Sequence, residues 1–211
     1  MSNIKFNNRV AIVTGAGGGL GRSHAIELAR RGVKVVVNDL GGSVSGEGGS
    51  ATMAEKVVDE IRQLGGTAMA NGANVTNPQE VQDMVGLVIE KWGHIDILVN
   101  NAGILRDKSF TKMDLNDFRL VIEVHLMGSV ICTKAVWDHM KERKYGRIVM
   151  TTSSSGNYGN FGQTNYGAAK MAVVGFMNTL VIEGKKHNIH VNALSPTAGT
   201  RMLEGLIPPD V

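Results

Sequence analysis

Tyr166 and Lys170 stand four residues apart at the end of the stretch TTSSSGNYGNFGQTNYGAAK, Thr151 to Lys170. On a helix that spacing puts both side chains on one face, where they can act at one point. A phenol loses its proton near pH ~10, so its use as acid or base near neutrality calls for a pKa lowered by about 3 units, roughly 4 kcal/mol. A neighbouring ammonium stabilises the phenolate, and Lys170 is spaced to supply one. Ser153, just past the apolar run Arg147 to Met150, can hydrogen-bond the same substrate oxygen. Alone, Tyr-x-x-x-Lys is a weak signal whose ordinary meaning is a half-exposed tyrosine beside a solvated lysine.

A second chemical group lies near the amino terminus. Val10 to Val13 reads as a short strand, followed at once by TGAGGGLG, Thr14 to Gly21, and then by a helix with Leu20, Ile26 and Leu28. Glycines 15, 19 and 21 have the spacing G-x-x-x-G-x-G, suited to a tight turn, a close backbone approach and helix-on-strand packing. The freed N–H groups and the helix N-terminus then face a pyrophosphate. Val33 to Val37 is the second strand and ends in Asn38-Asp39. A carboxylate there accepts hydrogen bonds from an adenosine ribose and repels a 2′-phosphate, which favours NAD over NADP; the basic Arg22 weighs the other way.

These residues need elements to hold them. Gly41 to Gly49 is a glycine-rich insert, and Ser50 is placed to cap a helix with Met53, Val57, Ile61 and Leu64 in one stripe. Thr67 to Val75 is a weak third strand whose Asn74 either meets an adenine edge or caps a turn. Asn77-Pro78 with Glu80 opens a helix, and Ile95 to Val99 is a fourth strand running into Asn100-Asn101-Ala102-Gly103, where small residues let the backbone lie against a ligand. Asp114 starts a long helix through about Arg143, with His125 in its middle. A lone helical histidine is more often a packed core residue than a catalytic one, so His125 ranks behind the tyrosine. The Tyr166 helix runs to about Lys186, Ile189 to Leu194 is a sixth strand, and Ser195 to Thr200 turns back toward the sheet. Six strands alternating with helices predict an α/β fold with a parallel, doubly wound sheet. Ligands of such sheets sit beyond the carboxyl ends of the strands, where Gly15 to Gly21, Asp39, Asn100 to Gly103, Ser153 and Thr200 all fall. That convergence turns Tyr166 and Lys170 from coincidence into a site.

Composition sets the limits. At 211 residues, 43 % apolar and 5 % aromatic, the chain suits one domain of closely packed strands and helices. The single cysteine, Cys132, lies in an apolar helical pattern and reads as a buried small residue in a reducing compartment. The net charge of +3 is scattered, apart from Lys141 to Lys144 at a helix end, so nucleic acid binding is not expected. No run is expected to span a membrane, the start MSNIKFNNR lacks a signal pattern, and the end Pro209-Asp210-Val211 is not a peroxisomal tripeptide, so a cytoplasmic location is expected unless the chain is part of a longer eukaryotic polypeptide.

TGAGGGLG, NNAG, a serine thirteen before a tyrosine, and YGAAK together resemble the short-chain dehydrogenase/reductase family, over nearly the whole chain. More narrowly, NDLGG, NNAGILRDKSF, VHLMGS, KYGRIVMTTSSSGNYGNFGQTNY, IEGKKHNIH and AGTRM are similar to the hydroxyacyl-CoA dehydrogenase branch, found in multifunctional enzymes of fatty acid β-oxidation. The resemblance implies a Rossmann-like domain over residues 1–211 that lacks the family's last helix and strand. It implies Tyr166 as proton donor or acceptor, Lys170 as its pKa-lowering partner and ribose ligand, and Ser153 as orienter of the substrate oxygen. Gly15, Gly19, Leu20, Gly21 and Asp39 would hold NAD from one side; Asn74, Val75, Asn101, Ala102, Gly103 and Thr200 would hold it from the other. It further implies oxidation of a 3-hydroxyacyl-CoA and a fused or partner hydratase domain; a homodimer or higher homo-oligomer built on the two long helices that carry His125 and Tyr166 is also expected. Arg106, Lys108 and Arg201 either meet CoA phosphates or are solvated charges. Three features depart from the family: His125 where most members have Asn, Asn74 in place of a common Asp, and a stop at Val211 that would leave strand six an apolar edge. The competing expectations are a 3-oxoacyl-carrier-protein reductase, a hydroxysteroid dehydrogenase, and a catalytically silent NAD-binding scaffold.

Overall fold

The computed structural model describes residues 4–43, 45–46 and 52–196. β1 (Val10–Thr14), β2 (Lys34–Asn38) and β4 (Ile97–Asn100) are short runs of mostly branched apolar residues, buried on both faces, as interior strands of a parallel sheet must be. With β3 (Thr67–Asn71), β5 (Gly146–Thr151) and β6 (Ile189–Leu194) they form one six-stranded parallel sheet in the order β3-β2-β1-β4-β5-β6. The order reverses direction beside β1, where Ile12 pairs with Val36 on one side and Leu98 on the other. The doubly wound α/β expectation holds.

Alternation along the strands builds two cores. Ala11, Val13, Val35 and Val37 pack in one layer under α1 (Gly19–Arg30) and α2 (Thr52–Gln63). Val10, Ile12 and Leu98 face the other layer, under α3 (Pro78–Trp92), α5 (Gly128–Arg143) and α7 (Thr164–Gly184); α4 (Leu115–Ile122) leads into α5 through a π turn, Glu123–Met127, and the short α6 (Ser154–Tyr158) precedes α7. Helix starts follow side-chain chemistry: the Asn77 side chain accepts from Gln79 N and Glu80 N at α3, and Asp114 from Asn116 N at α4. The expected Ser50 cap lies outside the described residues.

Four local expectations need correction. β3 stops at Asn71 instead of reaching Val75, because Asn71 turns its side chain to accept from Ala73 N at 2.9 Å and Asn38 Nδ2 at 3.0 Å. The long helix from Asp114 is interrupted by the π turn around His125. Leu115 to Arg143 is, by length and composition, one helix apolar enough to cross a membrane, where no such run was expected. Its Cys132, Val136 and Met140 are packed into the core of the sheet, which is what makes it apolar. β6 is an edge strand among the described residues, as β3 is on the other side, yet it is not apolar throughout: Ile189 and Val191 are buried while His190 and Asn192 face outward.

Candidate active site

The carboxyl ends of β1, β2, β4 and β5 bring the candidate residues together. Gly15 adopts φ +62°, open mainly to glycine, and a Cβ there would lie 2.7 Å from Ala102 Cα, so the glycine loop and the Asn101-Ala102 turn are pressed backbone to backbone. Thr14, absent from the sequence-based candidates, braces this contact: its Oγ1 accepts from Asn101 N at 3.0 Å and Ala102 N at 3.1 Å. Asn101 spends its amide donors on Thr14 O and Gly15 O, at 3.0 and 3.1 Å. It therefore shapes the loop.

α1 starts at Gly19, with Leu20 half-buried in its first turn, and no side chain caps it or adds acidic charge there. An uncapped helix N-terminus carries free N–H groups and partial positive charge, so it accommodates an anion. Asp39 directly follows β2, with one oxygen accepting from Gly17 N and the other from Gly41 N, each at 2.7 Å. A Cβ on Gly17 would lie 2.8 Å from the Asp39 carboxyl, so Gly17 belongs to the site although only 15, 19 and 21 stood out by spacing. Arg22, whose charge weighed toward NADP, is tied to Glu60 by a two-point ion pair, one bond being Nε to Oε1 at 3.1 Å. Asn74 commits its acceptor oxygen to Thr76 N and Oγ1, at 3.0 and 2.9 Å, which is the turn-capping alternative; Val75 is buried in the core beside it. Thr200 and Arg201 lie outside the described residues. Lys108 and Arg106 stand against Asp117 at 3.1 and 3.8 Å.

Across the switch point, Ser153 caps α6: its Oγ accepts from Ser155 N at 3.2 Å and hydrogen-bonds the Tyr166 phenol. Lys170 is 4 % exposed, and its Nζ donates to Thr151 O at 2.6 Å while lying 5.4 Å from the Tyr166 ring centre. The spacing predicts a phenol made acidic by this lysine, and the structure corrects that. Burial pushes Tyr166 up, the Ser153 hydrogen bond pulls it down, and Asp107 pushes it up. Burial also drives Lys170 down to about 7, so the ammonium is itself close to losing its proton near neutrality.

His125, 2 % exposed, is rotated inward by the π turn and meets Tyr166 edge to face at 5.1 Å. Its Nε2 lies 2.8 Å from Ile104 O and 3.1 Å from Ile104 N, and a Cβ on Gly103 would sit 2.3 Å from its ring. Burial, then Lys170, drives it down to about 3, opposed by the Ile104 bond, so the ring is neutral at ordinary pH. The buried Nδ1 of His125, Oδ1 of Asn100 and Oγ1 of Thr151 have no protein partner. These orphaned polar atoms, the uncapped α1 and the glycine cradle fit a dinucleotide laid across the strand ends.

A glycine-lined switch point beside half-buried Ser153 and Tyr166 and a buried Lys170 defines the class: an oxidoreductase domain on a doubly wound sheet. The family described as short chain dehydrogenase matches residues 9–206, and the chain belongs to it. The chain is 51 % identical to the peroxisomal multifunctional enzyme A of Dictyostelium discoideum, covering 99 % of this chain and 46 % of that protein. It is 48 % identical to the peroxisomal hydratase-dehydrogenase-epimerase of Saccharomyces cerevisiae, covering 99 % of this chain and 23 % of the relative, so it spans less than half the length of either. A 7 alpha-hydroxysteroid dehydrogenase, solved with NADH and 7-oxo glycochenodeoxycholic acid, superimposes with a TM-score of 0.89 at 34 % identity, over 99 % of this chain and 78 % of that one.

Proposed function

We propose that the chain is an NAD-dependent dehydrogenase that oxidises the secondary alcohol of a 3-hydroxyacyl-CoA to the ketone, acting as one dinucleotide-binding and catalytic domain. The observation that carries this reading is the meeting of the glycine cradle and Asp39 with Ser153, Tyr166 and Lys170 at the carboxyl ends of one sheet. Bound NAD supplies the acceptor for the carbinol hydride. Tyr166 Oη, having released its own proton, takes the hydroxyl proton as the carbon–oxygen double bond forms, and Ser153 Oγ hydrogen-bonds the same oxygen. Lys170, pinned by Thr151 O, holds its charge beside the phenol and adds a second acceptor for the proton once it has itself titrated. The buried, neutral His125 carries no proton in this scheme; it fixes Gly103 and Ile104 against Tyr166. Asp39, with Arg22 already paired to Glu60, supports NAD over NADP. The CoA ester rests on the multifunctional relatives, which also support a fused or partner hydratase domain. The exposed Met171 and Ile182 on α7 support a second copy docked there.

The steroid-bound neighbour favours one second reading, a hydroxysteroid dehydrogenase. Turnover of 3-hydroxyacyl-CoA, hydroxyacyl-carrier and hydroxysteroid substrates with NAD and NADP separates the possibilities. The acyl-CoA with NAD is expected to give the highest kcat/KM, and Tyr166→Phe to lower kcat by about 10²–10⁴. Full turnover by the phenylalanine variant would refute the scheme.

A further inference from the structure

Gln163 stands three residues before Tyr166 and is 7 % exposed, a buried amide between the segment after β4 and the short α6. Its Nε2 donates to Asp107 Oδ2 at 2.7 Å, while its Oε1 accepts from Ser155 Oγ at 2.8 Å and Asn160 Nδ2 at 3.1 Å. Chemistry fixes this orientation, since a carboxylate only accepts and must face the amide's NH2 end. Ser155 passes the connection on by donating its backbone N–H to Ser153 Oγ at 3.2 Å. On the other side the Gln163 carbonyl accepts Gly167 N–H at 2.7 Å, in the first turn of the Tyr166 helix. Two ties run alongside, Lys108 N to Gly162 O at 2.9 Å and Asn165 Nδ2 to Arg106 O at 3.0 Å. A single residue thus joins Asp107, the cap that orients Ser153 and the helix that carries Tyr166.

We propose that Gln163 is a positioning residue for the Ser153 and Tyr166 hydroxyls, with Asp107 as its anchor. The proposal rests on the dehydrogenase reading above. Ser153 caps a short helix of small polar residues with no buried side chain of its own, whereas Tyr166 rides on a long core helix. The amide gives them one frame, so that both hydroxyls meet the same alcohol oxygen. A displacement of ~1 Å at such a point costs about 10²-fold in rate.

Gln163→Glu sets a carboxylate against Asp107, where two like charges cannot both stay ionised at hydrogen-bond distance. Adding Asp107→Asn restores a donor opposite an acceptor. The ionisable groups around the amide are Asp107, the exposed Tyr158 at the end of α6, Tyr166, and the Arg106 and Lys108 cations that stand 3.8 and 3.1 Å from Asp117. Only the contact with Asp107 becomes repulsive. Q163E is expected to lower kcat about 10²-fold at pH 8 with the NAD dissociation constant unchanged. Its deficit relative to wild type should shrink toward pH 5 as the carboxyl pair takes up a proton. Q163E/D107N is expected to return to within about threefold of D107N alone. S155A, which removes the middle link, should lower kcat about tenfold at an unchanged melting temperature; it keeps the test open if Q163E does not fold. Wild-type kcat in Q163E, a deficit that D107N leaves in place, or full activity in S155A overturns the proposal. Tyr166→Phe in the same assay separates the two claims: if it stays active the dehydrogenase reading falls, whereas an inactive Tyr166→Phe with no rescue by D107N removes only the role of Gln163.

Discussion

The two ends of the sheet treat their buried polar groups in opposite ways. At the amino end the Asp96 carboxylate is 0 % exposed, yet fully met: Arg9 Nη1 and Val10 N donate to it at 2.9 Å each, and His94 Nε2 lies 3.1 Å away. Arg9 and Arg147 stack on Tyr145 at 3.7 and 4.3 Å, closing the cluster. At the carboxyl end, Lys170 is buried against one carbonyl, His125 is buried neutral, and Asn100, Thr151 and His125 each leave an atom without a partner. A buried polar group without a full set of partners costs stability, so leaving several together is tolerated only where a ligand is to complete them. Stability sits at one end of the strands and the proposed chemistry at the other.

The largest effect should come from removing the worst-placed charge. Lys170→Met is expected to lower kcat by about 10²–10⁴ and, unlike most losses of a buried residue, to raise thermal stability at pH 6. The sign follows from titration: Lys170 loses its proton near 7 in the fold against 10.5 in the free side chain. Between those values the unfolded chain binds more protons, so the lysine weakens the fold as pH drops through that window and most strongly below 7. Each kcal/mol recovered should add about 2–4 °C to the melting temperature. At pH 10 the gain should vanish. A variant that melts lower than wild type at pH 6 would mean the two ends are not distinguished in this way.

Asp96 gives the opposite outcome. Asp96→Ala orphans the buried Val10 N–H and leaves Arg9 and His94 without their carboxylate, a loss of about 3 kcal/mol. The turnover of the molecules that remain folded should be unchanged, because the cluster lies at the far end of the strands from Tyr166. Denaturant unfolding combined with activity per folded molecule checks this. A fall in intrinsic kcat would break the separation.

What the sequence disclosed follows the same division, by range of interaction. β1, β2 and the glycine loop were legible because each is a local pattern, a branched apolar run followed by residues that only a tight turn uses. Tyr166 and Lys170 were legible because helical periodicity relates them. Asp96 and Arg9 are 87 positions apart, and Asp107 and Gln163 are 56 apart, so no local pattern announces either pair. The helix α6 was hidden in SSSGNY, which has no apolar stripe; its existence rests on the Ser153 cap and close packing on α7, where a Cβ on Gly156 would lie 3.0 Å from Met171 N. The π turn was hidden too, since one extra residue barely disturbs an apolar stripe. The spacing of Tyr166 and Lys170 disclosed their common face but not their burial, and burial is what reverses the expected pKa shift.

His125 tests the contrast at its finest grain. Its ring titrates near 3 in the fold against 6.5 in the free side chain, so the unfolded chain binds the extra proton first as pH falls. Stability should therefore be lost progressively below about pH 6.5, amounting to about 2 kcal/mol at pH 5 from this ring alone. Gln in place of His125 keeps a side-chain amide able to donate to Ile104 O and accept from Ile104 N, but does not titrate. The variant should start less stable at pH 8, having lost the ring contact with Tyr166, and then show a shallower decline between pH 7 and 5. Parallel stability curves for the two proteins would mean that the buried ring is not what makes this end of the sheet acid-sensitive.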